Sequence, residues 1–99
     1  MLKKLLKALG FLKKTPRTDK PVGEVTHYYG KAEVAIVRFN QDMPVGKNVT
    51  FQGETTDFSQ DLASMEFDHK TINVAPKGKE VGIKVKDKVR EGDGVYLNS

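Results

Sequence analysis

A short phrase of glycine, charged residue, spacer and valine occurs three times in this chain of 99 residues. The three copies are residues 46–49 (GKNV), 78–81 (GKEV) and 92–95 (GDGV). In each copy the glycine tolerates the positive φ of a tight turn, the charged residue keeps the turn in water, and the valine opens an apolar run. Turns of this kind indicate a small antiparallel β structure.

Apolar alternation between the turns predicts six short strands. Residues 22–29 and 32–39 form a hairpin through Gly30 and Lys31, and the other strands run over 48–53, 62–67, 81–85 and 95–97. Alternation along 62–67 predicts that Ala63, Met65 and Phe67 face inward, whereas the polar residues 54–58 are read as a loop. Four consecutive apolar residues at 34–37 leave the inner face of the second strand unassigned. Six regularly spaced strands predict an all-β fold, a small closed six-stranded antiparallel β-barrel, since closure leaves few edges to protect.

The first twenty residues follow a different pattern. Leucines recur at helical spacing within 1–14, with lysines on the opposite side, which predicts a short N-terminal amphipathic helix. Residues 15–20 contain a proline and no apolar residue, so they are predicted to link this helix to a β-barrel domain at 21–99. The helix suits an anionic membrane surface, an RNA backbone, the barrel itself or a partner protein, and the sequence leaves these open.

Charge is divided unevenly along the chain. Residues 1–20 carry seven basic residues and one acidic residue, a net charge of +6, whereas 21–99 carry −2. Within the predicted barrel, 70–90 carry +5 and 21–69 carry −5. This division predicts one face that attracts anions. The residues predicted to contact RNA are Lys70, Lys77, Lys79, Lys84, Lys86, Lys88 and Arg90, together with the ring of Tyr28.

Each of these residues also has a plainer interpretation. Lys84, Lys86 and Lys88 alternate along a predicted strand, where their spacing of about 6.6–6.8 Å suits successive phosphates. The alternative is a solvated outer face on which lysines protect a strand edge. Tyr28 either stacks on a base or fills the barrel, and we favour the second role.

The sequence offers little for catalysis. It has no cysteine, which excludes disulfides and thiolate metal sites, and it contains no phosphate-binding loop and no nucleophile elbow. His27 and His69 are its two histidines, and no metal-ligand spacing connects them, so we expect them to lie apart. We therefore expect no catalytic residue, no metal, no cofactor and no GTP binding. Without cysteine or a signal-peptide cleavage pattern, the expected location is cytoplasmic.

Several motifs resemble domain II of the translational GTPases, the β-barrel of elongation factor Tu and its relatives. They are residues 22–25 (VGEV), 30–39, 45–53 (VGKNVTFQG), 64–67 (SMEF), 75–83 (APKGKEVGI) and 89–93 (VREGD). A nearer resemblance is to the C-terminal barrel of the collagenase-like peptidase family, several of whose members act in RNA hydroxylation. It is carried by residues 26–29 (THYY), 55–58 (TTDF), 68–70 (DHK) and 88–93 (KVREGD). Neither family's catalytic domain is recognisable in the sequence.

The resemblance implies a non-catalytic, RNA-binding accessory module of translation or RNA modification. Such a module contacts tRNA or ribosomal RNA through a basic face. The alternative is a protein-interaction barrel that docks on a larger enzyme or the ribosome, with its N-terminal helix on a membrane surface or on a partner. Because one barrel serves many hosts, the fold alone does not decide between them.

Overall fold

The computed structural model describes residues 19–98. The helix predicted over 1–14 and most of the linker predicted over 15–20 lie outside the described residues. Within 19–98 the protein consists of ten strands and no helix, and so has no helix that spans a membrane. The strands are β1 (Gly23–Tyr29), β2 (Val34–Phe39), β3 (Met43–Pro44), β4 (Asn48–Gln52), β5 (Asp57–Asp61), β6 (Met65–Phe67), β7 (Lys70–Ile72), β8 (Val74–Ala75), β9 (Glu80–Lys84) and β10 (Gly94–Leu97).

Eight strands form one curled antiparallel sheet in the order β5-β4-β10-β1-β2-β9-β6-β7, and β3 pairs with β8 in a separate two-stranded sheet. The predicted all-β class is confirmed. The predicted closed six-stranded barrel is wrong, because the sheet is an open half-barrel whose two end strands do not pair. Strand β10 lies between β4 and β1, so it joins the β4–β5 hairpin to the rest of the sheet.

The concave side of the sheet holds the core. Val25 of β1, Val37 of β2 and Val81 of β9 lie side by side on three neighbouring strands and are fully buried. Phe51 of β4 is also fully buried and stacks on Phe58 of β5 with ring centroids 5.2 Å apart. The loop predicted over residues 54–58 is therefore wrong at its end, because Asp57 and Phe58 begin β5 and the Phe58 ring packs against the core.

All three repeated phrases form the turns that the sequence predicts. Gly46, Gly78 and Gly92 have φ values of 95°, 80° and 93°, and β4, β9 and β10 each begin two residues later. The Cβ atom of any other residue disfavours this left-handed region, which explains why glycine occupies all three positions. In the β6–β7 hairpin, Asp68 and His69 take positive φ instead, and a two-residue loop of this kind matches strand twist.

A buried carboxylate organises the turn before β10. Asp93 is 5% exposed, and its carboxylate accepts a hydrogen bond of 2.8 Å from the backbone N–H of Arg90. Gly53, at the end of β4, packs directly on that carboxylate: a Cβ added there would lie 2.6 Å from Asp93 Cγ. The β4–β5 turn and the turn at residues 90–93 are thus in contact. Residue 53 is glycine because a larger side chain there would overlap the Asp93 carboxylate.

One side-chain amide connects the end strand β5 to the end of β9. The Gln60 amide nitrogen donates to the carbonyl of Lys84 at 2.8 Å, and its oxygen accepts from the N–H of Lys86 at 2.9 Å. Those two backbone groups flank Val85, and a residue of an adjacent parallel strand would bond to the same pair. The Gln60 side chain therefore makes the two hydrogen bonds that a neighbouring strand would make to the backbone around Val85.

Removing this amide has an expected cost. We expect Gln60→Ala to lower the free energy of unfolding by about 1–3 kcal/mol, since each of the two hydrogen bonds contributes about 0.5–1.5 kcal/mol net. The Lys86 amide should also exchange its hydrogen faster, as measured by native-state hydrogen exchange. Gln60→Glu keeps the acceptor and loses the donor, so its free energy of unfolding should lie between those of the unchanged chain and Gln60→Ala. An unchanged Lys86 exchange rate in Gln60→Ala would contradict the bridging role.

Candidate functional site: the outer face of the sheet

Strand β2 is apolar on both of its faces. Ala35 and Val37 are buried in the core, while Val34 and Ile36 point to the outer side and are half-buried. An edge or surface strand normally alternates apolar and polar residues, and a continuous apolar run is typical of a strand covered on both sides. Neither Val34 nor Ile36 belongs to the buried core or to the partly buried side chains packed against it.

The strands beside β2 extend this apolar surface. His27 of β1 and Gly82 of β9 are the cross-strand neighbours of Ile36, and Tyr29 and Lys84 are those of Val34. The Tyr29 side chain is one of the most exposed large apolar groups, at 56%. The rings of His27 and Tyr29 are stacked, with centroids 6.4 Å apart. We call the surface formed by His27, Tyr29, Val34, Ile36 and Gly82 the outer patch.

A β-bulge in β1 turns the aromatic rings to this side. Val25 pairs with Val37 and His27 with Ile36, so Thr26 is an extra residue in β1. After the bulge His27 and Tyr29 are exposed, whereas Tyr28 is half-buried and packs against the core. Tyr28, predicted as a possible stacking ring, therefore has the structural role that we favoured, and its two neighbours are the accessible rings.

A depression of about 390 Å³ lies over Gly82 within the outer patch. Val34, Gly82, Glu66 and Lys84 are among the residues that line it. The Lys84 ammonium also donates to the carbonyl of Ala32 at 3.1 Å. The lining of the depression is therefore mixed: Ala32, Val34 and Gly82 are apolar, whereas Ser64, Glu66 and Lys84 are polar, with one acidic and one basic side chain.

Paired charges border the outer patch at one end. Glu24, Arg38 and Glu80 are successive cross-strand neighbours on β1, β2 and β9, and Arg38 lies 3.5 Å from Glu80. On another side His27 Nδ1 lies 3.4 Å from a carboxylate oxygen of Glu91. These exposed pairs contribute little to stability but form a polar rim around the apolar centre.

The basic residues predicted from the sequence are distributed over several elements. Lys70 lies on β7, Lys77 and Lys79 precede β9, Lys84 ends β9, and Lys86, Lys88 and Arg90 follow it. All seven are exposed. The expectation that Lys84, Lys86 and Lys88 share one face of a strand is wrong, because regular pairing ends at Lys84 and the next residues form a turn. The predicted strand spacing does not apply to them.

The two histidines are far apart, as expected. His27, Ile36, Gly82 and Glu66 form one row across four strands, so β1 and β6 are three interstrand spacings apart, or about 14 Å measured along the sheet. His69 lies in the turn beyond the end of β6. Within the described residues 19–98, no three histidine, aspartate or glutamate side chains are grouped to hold a metal ion.

Comparison with known proteins relates this fold to peptidases. No protein-family model matches the chain. The crystal structure of the C-terminal domain of a Geobacillus thermoleovorans protein described as a U32 peptidase has a TM-score of 0.75 at 22% identity, and the match covers 86% of this chain and 99% of that domain. Its selenomethionine variant gives a TM-score of 0.73 at 22% identity, over 79% of this chain and 99% of the domain. The chain has the fold of that C-terminal domain.

A relative of known sequence supports the same relation. An uncharacterized protease of Methanocaldococcus jannaschii is 38% identical over 77 residues, which are 77% of this chain. The chain spans about a fifth, 19%, of that protease. The predicted resemblance to the C-terminal domain of the collagenase-like peptidases is confirmed for the fold, since the U32 peptidases are that family.

The remaining part of the prediction needs correction. We interpreted the chain as a translation-elongation-factor-like, RNA-binding protein, and this is wrong, because the similar structures and the similar sequence belong to peptidases. The outer patch was missed from the sequence. Its signal was present in the apolar run at 34–37, which carries too many apolar residues for a strand with one face in water.

Proposed function

We propose that this chain is a non-catalytic accessory β domain that acts by docking on a larger, peptidase-type protein. The observation that carries the proposal is the match to 99% of a U32 peptidase C-terminal domain. The chain also spans only 19% of its archaeal relative, so a domain of this kind occurs as a small part of a much longer protein. The catalytic activity of such a protein would then belong to the remaining four-fifths of its chain.

The chemistry of the described residues supports a binding role over a catalytic one. His27 and His69 are separated across the sheet, and each has a local role, His27 beside Tyr29 and Glu91, and His69 in a tight turn. A general acid–base pair needs its groups within hydrogen-bond reach of one substrate. By contrast, an apolar surface with a polar rim is typical of a protein–protein contact.

Binding to a truncated peptidase tests this function. We expect the full chain to form a one-to-one complex with the M. jannaschii protease from which the matching 77-residue segment has been removed. Isothermal titration should give a dissociation constant in the micromolar range, on the order of the affinity of small interfaces. Nuclease treatment of both components is the control for bridging by nucleic acid.

Two results would contradict the proposal. One is a titration that gives no heat of binding, together with no co-elution of the two proteins, at concentrations of about 100 μM, well above the expected dissociation constant. The other is a complex that disappears after nuclease treatment. Circular dichroism of the truncated protease shows beforehand whether it is folded, so that the titration is made on a competent partner.

A further inference from the structure

We propose that the depression over Gly82 is the anchor point of this docking, and that it receives one apolar side chain of the larger protein. The outer patch forms the surrounding contact. This inference rests on the proposed function and adds to it which face of the domain is covered and by what chemistry. It follows from four observations on the outer side of the sheet.

The first observation is the double apolar character of β2. Val34 and Ile36 expose apolar surface on the side opposite the core, next to the exposed ring of Tyr29. Apolar surface of this kind is stabilised by removal from water. Apolar side chains contiguous across β1 and β2, unlike single scattered ones, mark an interaction site.

The second observation is the glycine itself. Gly82 lies in the middle of β9, with no positive φ, so the backbone conformation does not require glycine there. Space does not require it either: an added Cβ would have its nearest neighbours at 3.5 Å on Val34, 3.8 Å on Ile36 and 3.9 Å on Glu66. Glycine weakens a strand interior and often marks the close approach of another molecule. Here its missing side chain leaves the depression open.

The third observation is the shape of the site. The depression is bounded by β2, β9 and the residues that lead into β6, with a volume of about 390 Å³. An anchor in a protein interface is typically one side chain in a well-packed pocket, surrounded by contacts that exclude water. Ile36 and Tyr29 lie beside the lining residues Gly82 and Val34 and can provide that surround.

The fourth observation is the charge on the two sides of the depression. Glu66 stands on the β6 side and Lys84 at the end of β9, and both side chains are exposed. Complementary charges fix the orientation of a partner. The occupant is therefore a segment of the larger protein with an apolar side chain placed between a basic residue, which faces Glu66, and an acidic residue, which faces Lys84.

Filling the depression tests the inference. Gly82→Thr places a β-branched side chain in the site and suits a strand, whereas Gln52→Thr introduces the same residue on the outer side of β4, away from the outer patch. Against the truncated archaeal protease, we expect Gly82→Thr to weaken binding about tenfold or more, as for the loss of a central anchor. Gln52→Thr should bind like the unchanged chain. Both should keep the thermal midpoint of the unchanged chain within a few degrees.

A second measurement does not depend on how well Gly82→Thr folds. Because the chain has no cysteine, Ile36→Cys and Gln52→Cys each introduce a single thiol for maleimide labelling. In the complex, labelling at position 36 should slow about tenfold or more, and labelling at position 52 should not change.

The outcomes separate the two proposals. If the unchanged chain binds and Gly82→Thr binds equally well, or position 36 is labelled equally fast in the complex, then the anchor site is overturned and the accessory function remains. If the unchanged chain does not bind, the proposed function fails and the anchor site with it.

Discussion

Replacing Phe51 with alanine is expected to lower the free energy of unfolding by about 3–5 kcal/mol, the usual cost of removing a buried aromatic ring. Phe51 is completely buried on β4, and its ring stacks on Phe58 with an interplanar angle of 19°. The cavity left behind lies where β4 meets β10 and β5, so the neighbouring strands cannot close it without moving the sheet. Urea denaturation followed by circular dichroism measures the change.

Phe58→Ala is the matched control, because it removes the other ring of the same stacked pair. Phe58 lies on the end strand β5 and is half-buried, so its loss should cost about half as much as the loss of Phe51. A cost at Phe58 equal to or greater than that at Phe51 would contradict the packing described for this end of the sheet.

Gly53→Ala is expected to destabilise the protein by about 2–3 kcal/mol, which is large for the addition of one methyl group. The methyl group would occupy the position of the Asp93 carboxylate, at 2.6 Å from Cγ. Asp93 is nearly buried and bonded to the Arg90 N–H, so it cannot move aside without leaving a donor unsatisfied. The unfolding free energy from urea denaturation is again the measurement.

Gly82→Ala provides the comparison for this second prediction. The same methyl group at residue 82 meets nothing closer than 3.5 Å, so stability should stay the same or rise by a few tenths of a kcal/mol. Equal effects at the two glycines would show that contact with Asp93 does not determine the cost. The pair therefore separates a glycine needed for packing from one that the fold can replace.

The turns were more predictable from the sequence than the closure of the sheet. A positive φ at Gly46, Gly78 and Gly92 follows from local chemistry, and the structure confirms all three. Strand β5 was missed because its sequence, DFSQD, has one apolar residue, although its alternate residues Phe58 and Gln60 face inward. Closure of a barrel depends on long-range strand pairing, which a count of apolar runs does not show. The count predicted a closed barrel, whereas in the structure the Gln60 side chain connects β5 to the end of β9.

Side-chain direction was the harder part of the candidate site. Ala63 was predicted to face inward with Met65, but it is exposed, since β6 begins at Met65 and residue 63 belongs to the preceding loop. The bulge at Thr26 reverses the expected alternation in β1 and places His27 and Tyr29 outside. A one-residue shift of this kind changes which face every later residue occupies, and no local pattern announces it.

The central position of β10 determines when folding can finish. Among the strands described in residues 19–98, the β4–β5 hairpin and the group β1-β2-β9-β6-β7 are joined in the sheet by residues 94–97, which follow the other nine strands in sequence. Until residues 94–97 are in place, β4 and β1 each keep one edge without the strand that pairs with it in the folded sheet. Pairing that spans most of the chain is slow, because loop closure precedes the contacts that compensate it. We therefore expect the eight-stranded sheet to be completed only when β10 pairs with both β4 and β1.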